Sequence, residues 1–354
     1  MTLSPTLIIG AGLIGASIGQ RLTQLGEEVF LDDTDHAHAV VAASRHAGVV
    51  AKPRPESVAL VVVATPPSCA AETVVRALRT YPNATVTDVA SVKGNIEQLV
   101  LRFAEDATAA ARYVGSHPMA GSHHAGPLTA TPDLFIDRPW VLVERAGQSQ
   151  LAVATVTSLI KACDGRLIRL SSQEHDRAVA MVSHLPQLMS SLTAARLMGA
   201  PASDLALAGQ GLRDVTRIAN SDVALWCQIV ALNTPSVRVQ LEAVRDDLEN
   251  LISHLHDPQA VEDILQRGRD GVASLPGKHG HAASNLEAVV VRIPDTPGAL
   301  ARLFTDIQQQ GINVEDLSIE HDQLSAVGYL SVQVTPERSA ELADALRDAD
   351  WVVR

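Results

Sequence analysis

The stretch TLIIGAGLIGASIGQRLTQLGEEVFLDD, residues 6–33, reads as a strand, a glycine turn, a helix and a second strand. Its glycines stand at Gly10, Gly12 and Gly15. The first permits the tight turn, the second lets a pyrophosphate approach the backbone, and the third lets helix and strand pack closely. The helix that opens there offers unpaired N–H groups and a positive dipole end to phosphates. At the end of the second strand lie Asp32 and Asp33. Asp33 is the preferred acceptor for a ribose 2′-hydroxyl and Asp32 the second choice. A carboxylate there, with no arginine immediately after it, points to NAD rather than NADP. Leu13 and Ile14 in the turn, and Thr65 and Pro66 after the third strand, complete the expected cofactor contacts.

Working outward, short Val/Ile-rich runs alternate with helical patterns. The candidate strands are Thr6–Gly10, Glu28–Asp32, Val58–Ala64, Thr85–Asp88, Arg112–Ser116, Trp140–Val143 and Arg166–Leu170. That alternation predicts an α/β Rossmann-type domain with a parallel sheet over residues 1–170. Ser171 followed by Glu174 forms a capping box that opens a long helix. From there the pattern is helical to about residue 270, an all-α domain for substrate binding and dimerisation. GVASLPGKHGHAAS, residues 271–284, reads as a linker occupying 271–285. Residues 286–354 then follow the order βαββαβ, a ferredoxin-like unit.

Composition bounds the function. Of 354 residues, 46% are hydrophobic but only 3% aromatic, so the cores must be built from Ala, Val, Leu and Ile. No apolar run approaches the ~18 residues of a membrane helix. No basic segment precedes the first apolar stretch, so neither membrane nor signal peptide is expected, and the cytoplasm is the natural compartment. Cys69, Cys163 and Cys227 lack CxxC spacing and suggest neither disulfides nor zinc. A net charge of −12 disfavours nucleic acid, and an anionic substrate would need a local cluster of cations.

Four further stretches carry chemistry: TDVASVKG (87–94), GSHPMAG (115–121), SHLPQ (183–187) and GQGLRDVTRIANSD (209–222). Together with GAGLIG, in this order and spacing, they resemble the prephenate and arogenate dehydrogenase family over residues 1–270. The resemblance implies an NAD-dependent oxidative decarboxylation of prephenate to 4-hydroxyphenylpyruvate in tyrosine biosynthesis. It implies His117 as the base, a role suited to an imidazole at neutral pH. It implies Ser91 as the hydroxyl that shares the substrate's OH with His117, and Arg217 as the ligand of the ring carboxylate. Ser91 would otherwise be an N-cap for the helix near Lys93. Arg213 shares a helical face with Arg217 and is either a second cation or a solvated one. Asp214, three residues before Arg217, is placed to pin it. Lys93 either adds positive potential at the site or lies on the surface. His184, two residues before the helix-breaking Pro186, is read as a ligand on the pyruvyl side, against a core-packing role. His123 stands where some relatives carry an acidic gate. No metal site is expected, since the adjacent His123 and His124 point apart and no fitting acid accompanies His117.

PDTPGAL (294–300) and GINVEDLSIE (311–320) resemble the ACT module. That resemblance implies an aromatic amino acid effector, tyrosine foremost, held by Gly298, Ala299 and Asn313. The alternative is a module that only dimerises. Arogenate or dual specificity is the near rival for the enzyme, a non-catalytic NAD- and amino-acid-binding sensor the distant one. A homodimer is the default assembly.

Overall fold

The computed structural model describes residues 3–121, 126–275, 286–294, 296–321 and 327–354. His123 and His124, and the gate reading attached to His123, lie outside the described residues. The chain forms two compact units, Met1–Arg245 and Asp246–Arg354.

The first unit is built around a sheet. Its elements are β1 (Thr6–Ile9), α1 (Leu13–Gln24), β2 (Val29–Asp32), α2 (His36–Ser44), β3 (Leu60–Val63), α3 (Pro67–Thr80) and β4 (Thr85–Asp88). They continue with α4 (Gly94–Phe103), α5 (Ala107–Ala111), β5 (Ser116–Pro118), β6 (Pro139–Val143), α6 (Gln150–Ala162) and β7 (Arg166–Leu170). Strands β2-β1-β3-β4 are parallel, and β5-β6-β7 form a second ladder. The two ladders join where the Val86 N–H donates to the Arg112 carbonyl and the Val114 N–H to the Val86 carbonyl. The expectation of a parallel sheet is corrected at one place: β5 runs antiparallel to β6, while β6 and β7 are parallel.

The central strands are buried on both faces, as helices on both sides of a sheet require. Ile8, Leu31 and Val62 enter one core with Ile18 and Leu22 of α1. Leu7, Ile9, Val61 and Val63 enter the other with Ala70, Val74 and Leu78 of α3. Burying such side chains contributes about 1.5–3 kcal/mol each, which fixes the strand register.

Helices then take over: α7 (Ser172–Val179), α8 (Leu185–Ala195), α9 (Ala202–Leu205), α10 (Gln210–Thr216), α11 (Val223–Leu232) and α12 (Thr234–Ser253). The Ser171–Glu174 capping box is present at the start of α7. Pro186 does not break the chain. The residues before it, Ala180–His184, widen into a π-helical turn that joins α7 to α8 without the N–H that proline lacks.

In the second unit, α13 (Pro258–Ala273) precedes β8 (Glu287–Pro294), α14 (Ala299–Gln309), β9 (Asp316–His321), β10 (Val327–Val334), α15 (Pro336–Asp348) and β11 (Val352–Val353). The helix covers Gly271–Ala273, the start of the expected linker, and residues 276–285 lie outside the described ones. The sheet is antiparallel in the order β11-β8-β10-β9. Val289, Val291 and Ile293 alternate into a core with Leu330, Val332 and Val334, and Leu303, Ile307, Leu342 and Leu346 close it. No described helix is long and apolar enough to cross a membrane.

Gly15 shows how tightly the first unit is packed. A Cβ there would lie 2.0 Å from the Gly10 carbonyl oxygen. We therefore expect Gly15→Ala to destabilise despite alanine's better helix propensity. Overpacking of about 1–3 kcal/mol corresponds to a fall in Tm of about 3–10 °C. A thermal melt with unchanged Tm would refute this close approach of turn and helix.

Candidate active site

The glycine turn sits at the carboxyl end of β1. Gly10 has φ +102°, and a Cβ there would meet the Ala64 carbonyl at 2.5 Å. Gly12 caps α1 without any side-chain hydrogen bond, and a Cβ on it would meet nothing within 4 Å. Leu13 and Ile14 open the helix. Asp33 reaches back to this turn: its Oδ2 accepts the Ala11 N–H at 2.6 Å and its Oδ1 the Asp35 N–H at 2.8 Å. Asp32 is exposed at the end of β2. Across the turn, the buried Thr65 Oγ1 has no hydrogen-bond partner among the described residues, and Pro66 caps α3. An open backbone cradle, a tethered carboxylate and an orphaned hydroxyl are features that a bound dinucleotide would satisfy.

The second half of the site is organised by Asp176, a residue the sequence reading passed over. Its Oδ1 accepts the Lys93 N–H and its Oδ2 the Gly94 N–H, both at 2.8 Å, so a carboxylate from α7 caps α4. Gly94 is required by this approach, because a Cβ there would lie 2.8 Å from Asp176 Oδ2. The N-cap alternative for Ser91 is thereby displaced: the capping residue of α4 is Lys93, and no side chain of its own segment caps it. Ser91 lies half-buried in the loop between β4 and α4.

Asp176 Oδ1 also contacts His175 Nδ1 at 2.8 Å, and His175 Nε2 lies 2.8 Å from His117 Nδ1. A carboxylate only accepts, so His175 Nδ1 carries the proton and its Nε2 is left to accept. His117 must then donate from Nδ1, which leaves a lone pair on His117 Nε2. Burial holds the His117 pKa well below the usual imidazole value, helped by His175, Lys93 and His184. Burial likewise lowers His175, although its bond to Asp176 opposes the shift. Burial alone would raise the Asp176 pKa; the bonds from His175, Lys93 N–H and Gly94 N–H outweigh it and leave it lowered.

Lys93 is no surface lysine. It is 1% exposed, and its Nζ is paired with Asp88 Oδ1 and donates to the Ser116 carbonyl at 2.7 Å. Its charge is felt at His117, whose pKa it helps to lower, and its bonds bolt β4 to the strand that carries His117. Tyr113 donates its hydroxyl to Asp88 Oδ2 at 2.7 Å, and burial followed by the Asp88 charge pushes its pKa well up. Thr87 Oγ1, Ser116 Oγ and the Asp88 carbonyl extend the same network.

His184 ends the π-helical turn, buried, with its ring edge-on to Trp226 at 5.9 Å between centroids. Burial takes its pKa down to about 4, with Asp176 opposing and His175 assisting. Asn233 Nδ2 lies 2.8 Å from the Asp176 carbonyl and 3.3 Å from His184 Nδ1. Gln187, one turn along α8, donates to the Ile218 carbonyl at 2.9 Å and so fastens the turn that carries Arg217.

Arg213 and Arg217 are both exposed, but they do not share one regular helix. α10 ends at Thr216 and Arg217 begins a 3₁₀ turn, Arg217–Ala219. Asp214 Oδ1 accepts from Gln210 Nε2 at 2.8 Å. No group of three or more metal-ligating residues occurs among the described residues.

In the second unit, Gly298 caps α14 with φ +87°, a left-handed conformation suited to glycine, and Ala299 is the first residue of the helix. Asn313 Nδ2 donates to Glu315 Oε1 at 2.6 Å. A cavity of about 570 Å³ beside Gly298 is lined by Arg292, Thr296, Arg302 and Trp351.

A dinucleotide-type turn after β1 and a histidine relay that starts on β5 are features of a nucleotide-dependent dehydrogenase class. Two family profiles divide the chain accordingly: "Prephenate dehydrogenase, nucleotide-binding domain" over residues 18–169 and "Prephenate dehydrogenase, dimerization domain" over 171–267. The probable prephenate dehydrogenase NovF of Streptomyces niveus is 33% identical over 98% of both chains. The solved structure of a putative prephenate dehydrogenase from Corynebacterium glutamicum matches with TM-score 0.68 at 26% identity, covering 77% of this chain and 90% of that one. The Aquifex aeolicus prephenate dehydrogenase, solved with hydroxyphenyl propionate and NAD+, shares the fold at TM-score 0.67 and 23% identity, covering 75% and 96%. The chain belongs to the prephenate dehydrogenase family.

Because burial, helped by His175, Lys93 and His184, depresses the His117 pKa, its neutral form persists to lower pH than a free imidazole's. The acid limb of kcat/KM is therefore expected below pH ~6.5. Asp176→Asn removes one acceptor from the relay and from the cap of α4. We expect kcat to fall about 10–100-fold, as for other supporting-shell losses, with KM for the cofactor unchanged. A wild-type kcat and pH profile in Asp176→Asn would sink the relay.

Proposed function

We propose that this protein is an NAD-dependent prephenate dehydrogenase of tyrosine biosynthesis, and that His117 is its base. The observation that carries this reading is the His117–His175–Asp176 relay, which fixes a lone pair on His117 Nε2. His117 takes the proton of the ring hydroxyl as the geminal hydrogen leaves as hydride. When bound, NAD supplies the hydride acceptor. The bond to the ring carboxylate then breaks, carbon dioxide departs, and its electron pair makes the ring aromatic. The phenolate oxygen finally recovers the proton from His117, so the histidine returns to its starting state.

Ser91, in the loop after β4, shares the hydroxyl with His117 and orients it. Arg217 binds the ring carboxylate through a planar guanidinium, with Arg213 as a second cation. Asp33 binds the adenosine ribose and repels a 2′-phosphate, which favours NAD over NADP. The helical family segment, named for dimerisation, makes a homodimer the working assembly.

Steady-state kinetics with prephenate and NAD test the assignment. His117→Ala should lower kcat by about 10²–10⁴-fold with cofactor affinity near wild type. Arg217→Ala should raise KM for prephenate about ten- to a hundred-fold, the effect of losing a charge-assisted contact. Wild-type turnover by His117→Ala would refute the base, and activity on arogenate alone would give the reaction to the aminated substrate.

Residues 286–354 are proposed as an ACT regulatory module that binds tyrosine beside Gly298 and Ala299. Its βαββαβ order, the left-handed Gly298 and the cavity with Arg292 and Arg302 support that reading. Asn313, already engaged with Glu315, would have to exchange partners to take part. Calorimetric titration of tyrosine and phenylalanine into the full-length enzyme, paired with rate assays, should show tyrosine binding and inhibition. Binding couples to activity typically by about 1–3 kcal/mol. Inhibition by tyrosine that Gly298→Val leaves unchanged would move the effect to the active site.

A further inference from the structure

Asn233 lies between α11 and α12, is 2% exposed, and turns one amide group toward two acceptors. The Asp176 carbonyl can only accept, so the group 2.8 Å from it must be the amide NH2. The second hydrogen of that NH2 serves His184 Nδ1 at 3.3 Å. Nδ1 therefore accepts, and the His184 proton must sit on Nε2. An imidazole in this state has a single free function, an N–H donor.

We infer that Asn233 is a positioning residue that fixes His184 as a one-way hydrogen-bond donor, and that this donor selects a 2-oxo acid side chain over a 2-amino acid side chain. This inference rests on the reading of His184 as the ligand of the substrate's side chain. A keto oxygen accepts from Nε2–H; an ammonium group presents only hydrogens to it and is left unpaired. The charged neighbours of His184 do not alter its state near neutrality. Asp176 opposes the effect of burial, His175 of α7 adds to it, and its influence reaches His117 on β5. With a pKa of about 4, His184 is neutral above pH 5. Trp226 meets the ring edge-on, 5.9 Å between centroids.

Asn233→Asp provides the test. A carboxylate cannot donate to Nδ1, so it should draw the proton to Nδ1 and leave Nε2 able to accept once His184 is neutral. In the wild-type enzyme, ¹⁵N-histidine NMR should show His184 as the Nε2–H tautomer, assigned by its loss in His184→Gln. The ratio of kcat/KM for prephenate over arogenate should favour prephenate and stay constant between pH 6 and 8.5. In Asn233→Asp, that ratio should fall about ten- to a hundred-fold at alkaline pH and recover on acidification as His184 becomes charged. A generic packing defect would lower both substrates equally at every pH. An Nδ1–H tautomer in the wild type overturns the inference, as does an arogenate-preferring wild type or a pH-independent ratio in the variant. Should Asn233→Asp fail to fold, the wild-type tautomer alone decides. Loss of prephenate turnover by the wild type would instead overturn the enzyme reading.

Discussion

The Asp176 carboxylate ties His117 to the backbone of a helix. Two amide N–H groups of the α4 N-terminus hold its oxygens, and those N–H groups would otherwise be unpaired inside the protein. The carboxylate can serve His175 only because it is already fixed, so the ring's orientation is inherited from the helix end. His117 inherits its tautomer from His175 in turn. Its main chain adds a third tie, since the Asp176 carbonyl receives the Asn233 amide that defines His184. Two histidines with different duties, one an acceptor and one a donor, are thus set by the two ends of one residue.

The same part of the site contains a fully buried ion pair, Lys93–Asp88. Such a pair seldom stabilises a fold more than well-packed apolar residues of the same volume would, because both charges leave water. Its value here is geometric. Asp88 ends β4, Lys93 caps α4, and the Lys93 ammonium also holds the carbonyl of Ser116, the residue before His117. Removing either partner would leave a buried charge alone, a loss of about 3–5 kcal/mol. That penalty holds the strand end in one position relative to the helix cap.

Much of this was legible in the chain, for physical reasons that differ by element. The strands were readable because burial on both faces demands unbroken Val/Ile runs, and the capping box at Ser171 because its partners are local. The residues that complete the site were not readable in that way. Asp176 caps a helix 83 residues earlier in the chain, and no local pattern distinguishes it from an ordinary exposed helix aspartate. The adjacent pair His175-Asp176, nine residues before His184, was the available signal. Lys93 stayed open between the site and the surface for a related reason: a lysine's ordinary place is the surface, and only the fold brings Asp88 and the Ser116 carbonyl to it. Arg213 and Arg217 were placed on one face by their spacing of four, which assumes a regular helix; the pitch changes at Arg217, in the turn whose Ile218 carbonyl accepts from Gln187. The loss of Pro186's N–H likewise predicts a disturbance, but the choice of a π-helical turn rather than a kink depends on the surrounding packing.

The chain carries a net −12, and burial keeps His117, His175 and His184 neutral, so these rings give a doubly anionic substrate no Coulombic attraction. On the proposed reading, attraction must come from Arg213 and Arg217, both exposed. Once bound, the substrate's carboxylates favour the protonated form of any nearby imidazole and raise its pKa. For His117 this shift is useful: a base whose pKa lies too low in the free enzyme becomes a better proton acceptor when the anion is present. For His184 the same shift strengthens an N–H donor that is already in place. Burial that keeps these three imidazoles uncharged thus leaves proton affinity to be supplied by the substrate itself, at the moment when a proton has to move.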